Sequence, residues 1–254
     1  MKLYARPLQI TKKIMKGQLK VKYRVREVIR EAENVSTLVL ENSEGNLPSF
    51  IAGQYITVYF PESGTPEGKA YSISAGPSDI LKNAFSITIK AIGEFSNKLV
   101  AMKSGDVVTG SLPYGYFYSE SKDTPLVMVA AGIGVAPFRA MIHDCLKKVP
   151  TRRISLFYSN RSKKNIVFKT EFDYLLGMYP NLQIYYFITR ERTDFADMFQ
   201  SRISGQKILG LVQDSLDTEF LICGPISFTR DLWRDLHTLG IPEEVIYTEA
   251  FFSH

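Results

Sequence analysis

The sequence predicts a two-domain protein, an antiparallel β-barrel followed by an α/β domain built on a parallel sheet. Three observations predict it. Between Tyr23 and about Glu120, short runs of β-branched and aromatic residues alternate with turn residues, without long helical stretches. After Pro125, continuous apolar runs alternate with helical patterns, as in a parallel sheet covered on both faces. The length of 254 residues accommodates two domains of ordinary size. The junction falls near residues 119 to 125, which divides the chain into a basic arm (1–20), a barrel (21–120) and an α/β domain (125–254).

The barrel strands are read as YRVREVI, STLVLE, QYITVYF, KAYSIS, FSITIKAI and DVVTGSL. Gly45-Asn46, the PESGTPEG segment and Gly76-Pro77 are turns between them. Six such strands argue for a small closed barrel. One short helix interrupts them at SNKLVAM, residues 96–102, with Ser96 as N-cap and Gly105 as its stop. In the second half, LVMVA is a buried strand that leads through two glycines into a helix over 136–148. There follow strand ISLFYSN, a helix near 169–178, strand LQIYYFIT, a looser region to about Gln213, strand FLIC, a helix over 226–239 and a last strand VIYTEA.

Hydrophobic content of 45% with 22% charged residues is that of a soluble globular protein, and no apolar run approaches the roughly 18 residues of a membrane span. The charged N-terminus has no apolar stretch behind it, so a cleaved secretory signal is not expected. Two cysteines, Cys145 and Cys223, cannot build a disulfide framework, a four-cysteine zinc site or an iron–sulfur cluster; no metal site is expected, and a cytoplasmic setting fits. Charge is unevenly spread. Residues 1 to 26 hold nine basic and no acidic residues, so the net +5 comes entirely from that segment. Such an arm is either a solvated tail or an attractor for an acidic partner. No nucleic-acid fold signature accompanies it.

The densest chemistry lies in GKAYSIS. Strand alternation puts Lys69, Tyr71 and Ile73 on one face and Ala70, Ser72 and Ser74 on the other. A cation, an aromatic ring and a hydroxyl within about 10 to 13 Å of extended chain can touch a phosphate, a flat ring and a ring-edge nitrogen of one ligand, which points to a flavin. In AAGIGVAPF, Gly132 and Gly134 follow a buried strand and open a helix, where backbone N–H groups and the helix dipole suit a pyrophosphate. The third glycine of the dinucleotide fingerprint is absent, and Pro137 suits the first turn of the helix. The next strand ends in Ser-Asn-Arg161-Ser-Lys-Lys rather than in an acidic residue, and the third ends in Thr189-Arg190-Glu191-Arg192. Cationic strand ends suit the extra phosphate of NADPH over NADH. Cys223-Gly224-Pro225 ends the fourth strand, and Glu249 with Phe251 follows the last.

Taken in order, these motifs resemble the ferredoxin–NADP reductase superfamily over about residues 21 to 252. KAYS matches that family's Arg-x-Tyr-Ser flavin stretch, with lysine for arginine, so Lys69 would meet the flavin phosphate as a point charge. The resemblance implies that Tyr71 packs on the isoalloxazine, that Ser72 hydrogen-bonds near its N5, and that Ile73, Ser74, Thr88 and Lys90 belong to the same flavin site. It implies that Gly93, Glu94, Phe95 and Ser96 (GEFS) offer backbone N–H groups to the phosphates, and that Phe251 covers the ring. LPYGYF (112–117) matches the family's closing barrel turn. GIGVAPF, Arg161, Thr189, Arg190, Arg192, Cys223, Gly224 and Pro225 match the pyridine-nucleotide side, with Cys223 beside the nicotinamide and Glu249 near the flavin. The implied catalytic residues are Ser72, Cys223 and Glu249. FAD is favoured over FMN by the resemblance. The expected activity is transfer of electrons between NADPH and a one-electron carrier, a small acidic ferredoxin or flavodoxin. A free-flavin reductase, an NADH-using reductase component of an oxygenase and a non-catalytic basic binding protein on the same fold are the competing readings. No iron–sulfur module is seen at either end, unlike the dioxygenase-reductase branch, and the bacterial ferredoxin/flavodoxin reductases are the nearest match.

Overall fold

A computed structural model describes residues 19–60, 65–76, 83–192, 198–212 and 217–251. The basic arm up to residue 18 and much of PESGTPEG lie outside the described residues.

The first half forms β1 (Lys20–Ala32), β2 (Val35–Asn42), β3 (Tyr55–Tyr59), β4 (Lys69–Ser72), β5 (Ala84–Lys90) and β6 (Val107–Ser111), in the sheet order β4-β3-β6-β1-β2-β5. All its strand pairs are antiparallel. The sheet curls until its edges meet: Ile73 bridges Ile87, and the Ser74 amide donates to the Ser86 carbonyl at 2.8 Å. This seam is narrow. Inside the barrel, Tyr23, Leu38, Leu40, Ile56, Val58, Phe85 and Ile87, drawn from β1, β2, β3 and β5, are all fully buried.

The helix expected over 96–102 instead spans Glu94–Val100 (α1), with Gly93 as its N-cap. Ser96 is its third residue. Its Oγ reaches back to accept from the backbone N–H groups of Ile92 and Gly93 at 2.9 and 3.0 Å, closing the cap from inside the helix. Gly105 lies beyond the helix in the turn before β6, at φ +95°.

The second half is a sheet of β7 (Leu126–Ala131), β8 (Ile154–Asn160), β9 (Leu182–Ile188), β10 (Met198–Phe199), β11 (Glu219–Pro225) and β12 (Ile246–Phe251), ordered β10-β9-β8-β7-β11-β12. All its pairings are parallel. Helices α2 (Ala136–Lys148), α3 (Lys169–Met178), α4 (Gly205–Leu211) and α5 (Ile226–Thr238) cover it. The continuous apolar run of β7 serves two cores: Leu126, Met128 and Ala130 face one with Phe138 and Phe172, while Val127 and Val129 face the other with Leu232 and Leu236. The looser region to residue 213 contains β10 and α4; a two-residue strand and a seven-residue helix are too short to leave a periodic signal.

The chain leaves β7 towards β8 on one side and returns to β11 on the other. The strand order therefore reverses at the β7/β11 boundary, where open α/β sheets bind ligands at their carboxyl edge. Two glycines shape this point for different reasons. Gly132 adopts φ +56°, which L side chains resist, with open space where a Cβ would stand. Gly134 lies so close to β11 that a Cβ would fall 2.3 Å from the Cys223 carbonyl oxygen.

The two halves share one core. Val35, Ala52 and Phe117 pack in the same apolar cluster as Phe138 and Met141 of α2. Arg152, only 5% exposed, ties the connecting segment to the sheet: it donates to the Thr124 carbonyl at 2.7 Å and to Ser119 Oγ at 2.8 Å, and pairs with Glu219 at 3.3 Å. Among the described residues no helix is long and apolar enough to cross a membrane.

Gly134→Ala should lower the free energy of unfolding by about 1 to 3 kcal/mol, because the methyl overpacks against backbone that cannot rotate away. Gly210→Ala, in α4 with nothing within 4 Å of its would-be Cβ, should be neutral or stabilising by about 0.5 to 1 kcal/mol. Urea unfolding of the two variants checks the contrast.

Candidate functional site in the interdomain cleft

Strand β4 presents its residues to a cleft facing the carboxyl edge of the parallel sheet. Ser72 Oγ donates to Glu249 Oε2 at 3.0 Å, a contact between residues 177 apart in sequence. Glu249 sits opposite Cys223 in the β11/β12 register. The three residues expected to act together therefore meet at one point. Cys223 is 2% exposed, and burial, reinforced by the Glu249 carboxylate, pushes its thiol well above the usual range. It is a neutral, small wall residue, not a thiolate. Burial also raises the Glu249 carboxyl to about 7, against an opposing hydrogen bond from Ser72. Near neutrality Glu249 thus exists both protonated and ionised.

On the barrel side, Tyr71 stacks over Phe95 with ring centroids 6.4 Å apart and 21° between planes, and Lys69 Nζ lies 5.5 Å from the Phe95 centroid. Lys69 and Tyr71 share a face, as strand alternation predicts. Ile73, Ser74 and Thr88 are buried. Ile73 fills the barrel core, and the Ser74 hydroxyl contacts those of Ser86 and Thr88 at 2.9 and 2.8 Å. Gly93 is exposed at the start of α1 with open space at its would-be Cβ. Glu94 pairs with Lys98 at 3.1 Å, while Phe95 and Ser96 face inward.

A cavity of about 410 Å³ opens between the domains, lined by Asn34 and Lys90 from the barrel and by Gly132, Arg161, Thr189, Pro225 and Phe251 from the α/β half. Lys90 thus faces the side of the cleft that carries the nucleotide motifs. Gly224 is packed against Phe228 and Ala131. Arg190 and Arg192 are exposed on the segment after β9, where the Arg190 amide donates to the Arg161 carbonyl at 2.9 Å and Glu191 accepts from the Lys163 amide at 2.8 Å.

Two features escape reading by motif. Asn160, at the end of β8 on the cavity wall, is 5% exposed, and its Nδ2 makes no hydrogen bond among the described residues. Arg139, in the first turn of α2, reaches across the domain boundary to the Ser74 carbonyl at 2.8 Å. Its place directly after GIGVAPF was the available signal, but its partners are remote in sequence. Among the described residues no group of three or more His, Cys, Asp or Glu could hold a metal ion.

The chain is similar to known proteins in sequence and in fold. Residues 128–233 match the family model described as an oxidoreductase NAD-binding domain. Among curated proteins, the chain is 29% identical over 245 residues to a flavohemoprotein of Chromobacterium violaceum, covering 91% of this chain and 60% of that protein. The chain thus spans about three fifths of the length of such relatives. Among solved structures, the flavohem-like FAD/NAD-binding domain of a nitric oxide dioxygenase from Vibrio cholerae matches with a TM-score of 0.81 at 25% identity, covering 92% of this chain and 99% of that one. A ferredoxin NADP+ reductase from Neisseria gonorrhoeae with bound FAD and NADP matches with a TM-score of 0.76 at 20% identity, again covering 92% and 99%.

The raised Glu249 carboxyl has a measurable sign. Its native value of about 7 lies above the ordinary 4.5, so between those pH values the folded protein holds a proton that the unfolded chain has released. Stability contributed by this group falls as pH rises through that window. Glu249→Gln should remove that part of the slope and gain stability over the parent at pH 8 relative to pH 5, read from urea midpoints at the two pH values.

Proposed function

We propose that the chain is a member of the ferredoxin–NADP reductase superfamily and, from that premise, that it is a flavin-dependent oxidoreductase passing electrons from NADPH to a one-electron protein carrier. The observation that carries the reading is the Ser72 to Glu249 hydrogen bond beside Cys223, where barrel and α/β domain meet. The residues fit the cofactor. Tyr71 and Phe95 offer parallel aromatic faces with the Lys69 ammonium beside them. Gly93 leaves an open approach to the first N–H groups of α1.

FAD is the flavin proposed, held by Lys69, Tyr71, Ser72 and the GEFS segment, with Phe251 at the cleft wall. When bound, it would supply acceptance of a hydride at N5 from the nicotinamide and release of electrons one at a time. The protein's own contributions are orientation and proton handling. Ser72 Oγ offers a hydroxyl to the reacting edge. Glu249, half-ionised near neutrality, holds or yields a proton at that hydroxyl. Cys223, neutral and buried, packs beside the nicotinamide and keeps water out.

For the nucleotide, Gly132 and Gly134 receive the pyrophosphate at the strand-order reversal, and Arg161, Arg190 and Arg192 supply cations for a 2′-phosphate. One charge-assisted contact contributes about 1.5 to 3 kcal/mol. Glu191 favours a second reading, because its carboxylate stands at the same edge and is suited to a ribose hydroxyl of NADH. For the acceptor, Lys20, Lys22, Arg24 and Arg26 are exposed along β1 and continue the basic arm, which suits an acidic carrier and a salt-sensitive encounter.

Anaerobic titration of the flavin-loaded protein should bleach the flavin spectrum with NADPH at lower concentration than with NADH. The reverse order, with Arg190→Ala inert, would assign NADH. Absence of bleaching with either nucleotide would remove the oxidoreductase reading. Ser72→Ala should slow flavin reduction by about five- to tenfold or more, on the order of 1 kcal/mol of lost donor, with flavin content retained. Stopped-flow absorbance measures both.

A further inference from the structure

We propose that Arg139 is a positioning residue for hydride transfer, holding the carboxyl end of β4, and with it the Ser72 hydroxyl, in register with Glu249 and Cys223. The inference rests on the functional reading above.

The guanidinium is fixed on three sides. Nη1 donates to the Ser74 carbonyl at 2.8 Å, Nε donates to Glu171 Oε2 at 2.8 Å, and the group lies 5.0 Å from the Phe168 ring centroid. The second oxygen of Glu171 is taken by His143 Nε2, from one turn further along α2. Burial works to raise the Glu171 carboxyl, but hydrogen bonds from His143 and Arg139 outweigh it and hold the group below its ordinary range. The ion pair therefore stays charged through the neutral range. A planar guanidinium bonded at both Nε and Nη1 has little rotational freedom left.

What the fork grips is the seam that closes the barrel. Beyond Ser72, the chain reaches β5 through the Ile73 to Ile87 bridge, the Ser74 N–H to Ser86 carbonyl bond and the Ser74 hydroxyl contacts with Ser86 and Thr88. The carbonyl of the same Ser74 is the one that Arg139 holds, so the residue is bound from both directions. Gly76 then runs so close to α2 that a Cβ would come within 2.9 Å of the Ala140 carbonyl oxygen. Ser72 lies two residues before Ser74, on the same strand face. Any swing of the Ser74 peptide is thus passed directly to the hydroxyl that meets Glu249. Because α2 begins at the nucleotide-binding glycines, one helix touches both the dinucleotide turn and the flavin strand. Arg139 is the link between them.

Test proteins are the FAD-loaded full chain with Arg139→Met, which keeps length and loses the fork, and Arg139→Lys, which keeps one donor. Anaerobic stopped-flow with NADPH reads the limiting reduction rate and the half-saturating concentration separately, alongside flavin content and the urea midpoint. Arg139→Met is expected to lower the limiting rate about tenfold or more, with half-saturation and flavin content within about threefold of the parent, and Arg139→Lys to recover part of the rate. Added to Ser72→Ala, Arg139→Met should cost little further, since both act through one hydroxyl. A limiting rate per bound flavin equal to the parent's overturns the inference, as does a loss confined to half-saturation, flavin content or stability. Should Arg139→Met fail to keep its flavin, Arg139→Lys decides: a slowed limiting rate with flavin retained supports the role, and an unchanged one overturns it. A parent protein that neither nucleotide reduces removes the functional reading itself, which separates that failure from a failure of Arg139 alone.

Discussion

The apolar contact between the two halves sets the spacing on which the cleft depends. Phe117 and Phe138 pack with ring centroids 5.7 Å apart, and Ala52, Val35 and Met141 close around them. Gly53, at φ +99°, runs so near that a Cβ would stand 2.0 Å from the Phe117 carbonyl oxygen. Buried side chains of this size each contribute about 1.5 to 3 kcal/mol, and close packing leaves the surfaces little room to slide. A hydrogen bond such as Ser72 to Glu249 is too weak by itself to hold two domains together. It forms because the apolar contact has already brought the strands to the right separation.

Polar ties then refine what the apolar contact sets. Arg152 is almost fully buried, and burying a guanidinium is costly unless it is paired; its bonds to Thr124, Ser119 and Glu219 meet that demand and fasten the connecting segment to β11. Arg139 plays the corresponding part on the opposite side of the boundary, with Glu171 as counter-ion and the Ser74 carbonyl as its target. One arginine thus holds the covalent connection and the other holds the strand that carries Ser72.

The same burial that stabilises the cleft tunes its chemistry. Glu249 is the last titratable group on the parallel sheet, seated against the barrel and bonded to Ser72, and exclusion of water lifts its carboxyl into the neutral range. The neighbouring Cys223 is pushed in the same direction by burial and by the Glu249 carboxylate, and stays a thiol. Two groups side by side are thereby given different protonation behaviour, one carboxyl near its midpoint at neutral pH and one thiol held neutral.

Much of this was legible along the chain. Short runs of β-branched and aromatic residues between turn residues marked the barrel strands, and continuous apolar runs alternating with helical patterns marked the parallel ones, because both signals come from neighbouring residues. The spacing of GKAYSIS, GIGVAPF and CGP identified the segments of the cleft for a similar reason: each is a local arrangement of strand end, turn and helix start. The cap at Gly93 was misread because Ser96 can close a helix start either from the first position or from the third, and only the backbone path distinguishes them. Short elements such as β10 and α4 were too brief to show a period. By itself the sequence determined the two architectures and the identity of the segments at their edges, since those follow from interactions between near neighbours. Tertiary structure alone decided that Ser72 meets Glu249, that Arg139 finds Ser74, and that burial lifts the Glu249 carboxyl and the Cys223 thiol, because these depend on which distant surfaces exclude water from one another.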